Sequence, residues 1–232
     1  MLILSVDTST QAGSLAVLRD DRVIGAVSTW TDETYSSRMF RHLEFLLREL
    51  KLEMKQFDLY AVAAGPGSFT GLRVGLTAVK GWAEVHQKPI AAVSGLEAVA
   101  AQARTPTRWL VPVIDARRGQ IFGGIYERQA NGLARVGDEM VATPAEFLNH
   151  VRSRIPDEPL TFVTPTPEVI CSHIAEPPFT GKPVEGVSTV LAPVIGQLGY
   201  ARAQRGELVD AIHLDAHYIR RSDAELLWKD PR

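Results

Sequence analysis

The chain has 232 residues, 45% of them hydrophobic and 22% charged, with a formal net charge of -2. These values exclude a disordered chain, and the lack of a basic excess argues against autonomous nucleic-acid binding. A single cysteine, Cys171, rules out an intramolecular disulfide and fits a reducing compartment, so a cytoplasmic protein is expected.

In chain order, Leu2 to Val6 reads as a buried strand ending at Asp7, too short for a signal-peptide core or a membrane span. Ser14 to Leu18 and Val23 to Val27 flank the polar turn Arg19-Asp20-Asp21-Arg22 and predict an antiparallel hairpin. Thr34 to about Lys51 places Met39, Leu43, Leu46 and Leu50 on one helical face. An apolar strand, Leu59 to Ala64, leads into a glycine-rich turn and a helix running to about Gln87. Ile90 to Val93 is a short strand. Ser94 follows as the N-cap of a helix from Gly95 to about Ala103, with Glu97 placed to complete a capping box.

Around residues 104–107 the pattern breaks and restarts. Trp109 to Asp115 is a second apolar strand ending in Asp, and Gln120 to Tyr126 a return strand, with Leu133 to Val136 continuing the meander. Asp115 stands 108 residues after Asp7, so both halves begin strand–Asp–turn–strand, which suggests a duplicated unit. The second half continues with a helix from Thr143 to about Val151, a strand at Leu160 to Val163 and a short helix from Pro167 to Ile174. Residues 176–186 read as loop and Thr189 to Arg205 as a last helix. Two such units predict an α/β fold of the actin–kinase type.

The glycine block, residues 65–76, is Gly-Pro-Gly-Ser-Phe-Thr-Gly-Leu-Arg-Val-Gly-Leu. It fails the P-loop pattern, because Leu72 and Arg73 follow Gly71 where Lys and Ser or Thr are needed. It fails the dinucleotide fingerprint at Thr70 and the nucleophile elbow around Ser68. Ser68 or Thr70 can cap the helix. Gly71, Gly75, Ala78 and Gly81 form a small-residue stripe, which calls for a close backbone contact within the fold or with a partner. Arg73 is an unfavourable neighbour for the helix dipole and is expected to reach an acidic or phosphate partner.

Asp7-Thr8-Ser9 suits either a phosphate- or metal-facing turn or a turn making only local hydrogen bonds. After Asp115, Arg117 and Arg118 could hold phosphates or pair with Asp115 or Asp7. His42 has Arg38 and Leu46 four residues either side, so that helix lacks a His-x-x-x-His zinc pair. His213, Asp215 and His217 alternate but lack a fourth ligand, and no metal site is assigned. The tail with Tyr218, Arg220, Arg221 and Trp228 could touch RNA or a partner, or dock with solvated charges.

Five stretches together carry a resemblance: residues 4–9, the block at 65–75, Val93-Ser94-Gly95-Leu96, Ile114 to Gly119, and Tyr218-Ile219-Arg220. They are similar to the TsaB (YeaZ) family, which serves the bacterial machinery that makes threonylcarbamoyladenosine in tRNA. The resemblance implies an actin-like ATPase (ribonuclease-H-like) fold of two related lobes with mixed sheets flanked by helices. The first lobe would span residues 1–105 and carry the partner-binding helices. The second, degenerate lobe would span 106–232. It further implies a non-catalytic scaffold that pairs with the transferase TsaD, is joined by the ATPase TsaE, and can form a homodimer. On that reading the chain needs no cofactor of its own, with ATP and metal on TsaD and TsaE, and tRNA is met only through the complex.

The pairing helices would be those starting near Thr34 and at Phe69. The implied interface is Tyr35, Met39, Gly65, Gly67, Ser68, Phe69, Thr70, Gly71, Arg73, Gly75 and Ala78. Asp7, Thr8, Ser9, Asp115, Arg117 and Arg118 would line a vestigial nucleotide cleft. Catalytic relatives carry a His-x-x-x-His metal motif where this chain has Tyr35 and Met39, and an adenosine loop where Gly123-Gly124 lie in a strand pattern. The rival readings are a self-sufficient nucleotide-hydrolysing or kinase-like enzyme using Asp7 and Asp115 and, on weaker grounds, a peptidase.

Overall fold

The computed structural model describes residues 1–217, apart from Asp32 and Glu176, together with Ile219. The first lobe is built on β1 (Leu2–Asp7), β2 (Ser14–Arg19), β3 (Arg22–Ser28), β4 (Leu59–Gly65) and β5 (Ile90–Ser94), in the order β3-β2-β1-β4-β5. β2 runs antiparallel to both β1 and β3, whereas β1, β4 and β5 run parallel. Helices α1 (Tyr35–Leu50) and α2 (Phe69–His86) cover one face, and α3 (Gly95–Ala101) packs on the other. Burial on both faces explains why β1 and β4 read as continuous apolar runs rather than alternating ones.

The second lobe has β6 (Trp109–Arg117), β7 (Gln120–Gly123), β8 (Tyr126–Gln129), β9 (Gly132–Arg135), β10 (Met140–Ala142), α4 (Pro144–Arg154), β11 (Leu160–Thr164), α5 (Glu168–Cys171) and β12 (Val184–Gly186). Its main path, β10-β7-β6-β11-β12, repeats the order of the first sheet with the same senses, two antiparallel pairs and then two parallel ones. The duplication inferred from Asp7 and Asp115 is therefore a repeat of topology.

Four expectations need correction. The return strand expected over Gln120 to Tyr126 is split: β7 pairs with the end of β6 and β8 with its start. Pro112, in the middle of β6, has no N–H for the ladder, and Gly124 donates to its carbonyl at 3.3 Å as the chain steps across. The stretch at 176–186, read as loop, ends in β12, and β10 was not anticipated; both are three-residue strands with too little pattern to read. Ser94 caps α3 by accepting from Leu96 and Glu97, but Glu97 does not reach back, because its carboxylate is held by Arg202 at 2.5 Å.

The fourth correction concerns the lobe boundary. Helix α6 (Ala192–Arg205), assigned by sequence to the second lobe, packs on the first sheet. A Cβ on Gly199 would stand 2.8 Å from that of Ala61, and Gly196 lies against Leu18, so the two glycines admit the helix onto the sheet. The Ser14 hydroxyl accepts from the Ala192 N–H at 3.0 Å and fastens the helix start. Beyond α6, Val209 bridges to Ile90 and Leu214 is buried with the α1–α2 core.

Candidate functional site

A cleft of about 1200 Å³ lies between the lobes, lined among others by Thr8, Ser9, Gly67, Asp115, Arg117 and Arg118. The duplicated turns face it, and each closes the same way. Asp7 Oδ1 accepts from the Ser9 N–H at 2.8 Å, and Asp115 Oδ1 accepts from the Arg117 N–H at 2.7 Å. These are Asx-turns, satisfied two residues ahead.

The first turn is turned inward. Asp7 is fully buried, and burial pushes its carboxyl from the ordinary 3.8 up to about 6, against the lowering effect of its bonds from Ser9. The Ser9 hydroxyl donates to Asp7 Oδ1 at 2.6 Å, while Asp7 Oδ2 is buried with no hydrogen-bond partner. Thr8 Oγ1 donates to the Gly71 carbonyl at 2.7 Å, and the Ser68 N–H donates to the Ser9 carbonyl at 2.8 Å. Of the hydroxyls that would meet a phosphate, that of Thr8 is thus spent on α2 and that of Ser9 on Asp7.

This contact corrects the reading of the glycine stripe. Gly71 stands against the Thr8 carbonyl and Gly75 against the Thr8 side chain; a Cβ on Gly67 would meet Ser9 Cβ at 2.7 Å. The three glycines let α2 sit on the Asp7 turn of the same chain. Gly65 is likewise internal: it has φ +119, and a Cβ there would come within 2.6 Å of the His217 carbonyl. Ser68 is the N-cap, accepting from the Gly71 N–H at 3.2 Å. Thr70 is exposed on the first turn of α2.

Tyr35 and Met39 are corrected in the same sense. Met39 is buried in the core between α1 and the sheet. The Tyr35 ring fills the space beside Gly13, its hydroxyl buried without a hydrogen-bond partner, and burial together with the Asp7 charge pushes its pKa up. Arg38 was not singled out as a functional residue by sequence. It lies 4.9 Å over the Tyr35 ring and ties the Gln11 carbonyl at 2.5 Å to the Thr29 hydroxyl at 2.9 Å. Its signal was a charged residue beside the apolar face of an amphipathic helix.

On the second turn, Arg117 Nη1 lies 3.5 Å from Asp115 Oδ2, so of the two roles left open it makes the ion pair. Arg118 adopts φ 56 and, like Arg117, is exposed beside the cleft. Arg73 stacks its guanidinium 3.9 Å over the Phe69 ring, one helical turn back. His213 pairs with Asp210 at 2.7 Å while His217 points to Glu139, so the alternating His-Asp-His run does not converge. No group of three His, Cys, Asp or Glu that could hold a metal occurs among the described residues.

Among the residues that α1 and α2 present outward, a few are apolar. Phe40 is 57% and Val85 76% exposed, and Phe40 meets Trp82 edge-on with ring centroids 6.4 Å apart. A Cβ on Gly81 would meet nothing within 4 Å, and Ala78 is half-buried on the same helix. Sequence reasoning missed Trp82 and Val85 here; their signal was apolar residues at i and i+3 off the buried face. No helix among the described residues is long and apolar enough to cross a membrane.

The family model described as TsaD, tRNA N6-adenosine threonylcarbamoyltransferase, matches residues 20–182. The tRNA threonylcarbamoyladenosine biosynthesis protein TsaB of Bacillus subtilis is 30% identical over 228 residues, 98% of either chain. This chain belongs to the TsaB family. It also falls within the wider family that the TsaD model describes. The solved structure of YeaZ from Pseudomonas aeruginosa superposes with a TM-score of 0.77 at 25% identity, covering 94% of this TsaB-family chain and 99% of that one. A ROK hexokinase from Thermus thermophilus shares the fold at TM-score 0.51 and 10% identity, over 88% of this chain and 100% of that one. The architecture is thus the actin-like ATPase type. Of the Tyr218-Ile219-Arg220 motif, only Ile219 lies within the described residues, where it lines the cleft; the rest of the tail lies outside them.

Proposed function

We propose that this chain is a non-catalytic scaffold subunit of tRNA threonylcarbamoyladenosine synthesis, acting in the cytoplasm and pairing with TsaD through the outer faces of α1 and α2. The observation that carries the proposal is the exposed apolar side chains of Phe40 and Val85 on α1 and α2, with Phe40 set edge-on against the half-buried Trp82. Aromatic and aliphatic side chains held outward on two adjacent helices suit an interface. The first-lobe helices are therefore the contact, as the resemblance implies. The residues that make it are Phe40, Ala78, Gly81, Trp82 and Val85, rather than Tyr35, Met39, Gly71 and Gly75.

On this reading ATP and metal reside on TsaD and on TsaE, which joins at the junction, and tRNA is met through the complex. A second copy of this chain would use the same face in the absence of TsaD. The test is calorimetric titration of TsaD into the wild type and into Val85→Glu. Because Val85 is 76% exposed, the substitution leaves the fold intact. It is expected to weaken pairing at least about tenfold. Equal affinity of the two proteins overturns the assignment of the face, and no binding by either overturns the scaffold reading.

A further inference from the structure

Among the described residues the chain passes between the lobes twice: residues 102–108 join α3 to β6, and residues 187–191 join β12 to α6. In a two-lobed fold such crossovers are where a hinge acts, because a few backbone angles there absorb the closure of a cleft. Here both crossovers are held by side chains that reach across from the other lobe or the other crossover.

Gln102, at the end of α3, grips the second crossover. Its Oε1 accepts from the Ser188 N–H at 3.1 Å and its Nε2 donates to the Ser188 carbonyl at 3.2 Å, so the side-chain amide pairs with that residue as a strand would. Glu185 of β12 grips the first crossover in return. Its Oε1 accepts from the Arg104 N–H at 2.7 Å and its Oε2 from the Thr105 N–H at 3.2 Å. Arg128 of β8 takes the carbonyls of the same segment, Nη2 donating to Ala103 at 3.2 Å and to Thr105 at 3.1 Å. Pro106 follows, with its φ fixed by the ring.

We propose that Gln102, Glu185 and Arg128 lock the hinge, so that the two lobes form one rigid body and the cleft between them keeps a fixed width. The lock is reciprocal: bending either crossover breaks bonds that the other side supplies. A shared core works with it. Leu96, Val99 and Ala100 of α3 are buried in one cluster with Ala61 and Val93 of the first sheet and Leu110 and Val163 of the second. Apolar contact of that kind resists separation of the lobes but is non-directional, whereas hydrogen bonds fix an angle. The ties therefore decide the orientation that the core alone leaves loose. An enzyme of this architecture that closes on its substrate needs the hinge free. A locked hinge instead presents both lobes as a single preset surface. The inference does not depend on what α1 and α2 bind.

The experiment measures the distance distribution between two spin labels, one on each lobe, by pulsed electron resonance on the full chain. The native Cys171, exposed on α5, carries one label, and Arg22→Cys at the start of β3 carries the other. Labelled protein is diluted into unlabelled protein, so that a second copy adds no further pair. One narrow distance is expected with the ties intact. Gln102→Ala combined with Glu185→Ala is expected to widen the distribution roughly twofold, and either substitution alone to widen it less. The control is Glu146→Ala, which removes the acceptor of the Thr143 N–H at 2.9 Å, at the start of α4 and on neither crossover. It should leave the width unchanged. A broad or two-peaked distribution with the ties intact, equal widths with and without them, or the same widening in Glu146→Ala overturns the proposal. If the double variant does not fold, the single variants decide, because each leaves the other crossover tied.

Discussion

The Thr8 hydroxyl donates to the carbonyl oxygen of Gly71 at 2.7 Å, across 63 positions of sequence. That bond joins the first strand's turn to the second helix and determines what the glycines are for. Gly71 has the Thr8 carbonyl where a side chain would begin, and main-chain oxygen cannot swing away. Gly71→Ala is therefore expected to destabilise the fold by about 2–4 kcal/mol despite alanine's better helix propensity. Gly75→Leu should lose at least as much. Gly81→Ala, facing open space, should gain about 0.5–1 kcal/mol. Urea denaturation of the three variants checks the order; a neutral Gly71→Ala would contradict the packing.

Asp7 makes stability depend on pH with a definite sign. Its folded pKa, about 6, stands above the ordinary 3.8, so the folded state binds the proton more tightly than the unfolded chain. Its contribution is greatest below about pH 4, falls as pH rises through about 6, and is constant beyond, a change of roughly 3 kcal/mol. Asp7→Asn keeps the shape and removes the titration. The stability difference between wild type and variant, measured by urea midpoints from acid to neutral pH, should shift in the variant's favour across that window. A difference independent of pH would show that the carboxyl is not buried as described.

Nucleotide binding should be weak in the isolated chain. The Thr8 hydroxyl is committed to the Gly71 carbonyl, the Ser9 hydroxyl to Asp7 and the Ser68 hydroxyl to the Gly71 N–H, and Asp7 is fully buried. Titration with magnesium–ATP is expected to give weak or no heat of binding. Submicromolar affinity, with turnover abolished by Asp7→Ala, would instead establish the self-sufficient enzyme.

Arg202 holds Glu97 at 2.5 Å, with side chains 23% and 13% exposed, and so ties α6 to α3. Burial raises the Glu97 pKa, with Arg202 opposing it. Removing the cation alone, in Arg202→Met, should cost about 1–3 kcal/mol, because the carboxylate is left partly desolvated. The double variant with Glu97→Gln should recover part of that loss. A double-mutant cycle in urea reads the coupling, and a coupling of zero would show that the pair contributes nothing to the seating of α6.

Sequence alone determined what local chemistry can specify. Apolar runs marked the buried strands, Ser94 was legible as an N-cap and Ser68 or Thr70 as another, and the spacing from Asp7 to Asp115 suggested the repeat. Each of these signals lies within a few residues of its consequence, as hydrophobic period, capping and Asx-turns do. The glycine stripe was legible as a close contact, but not its occupant, because a missing side chain says only that something approaches. Only the tertiary structure decided that Thr8 approaches Gly71, that α6 returns to the first lobe, and that His217 meets Glu139. Helical period put Met39, Leu43 and Leu46 on one face of the first helix, but which distant residues that face packs against is set by the fold.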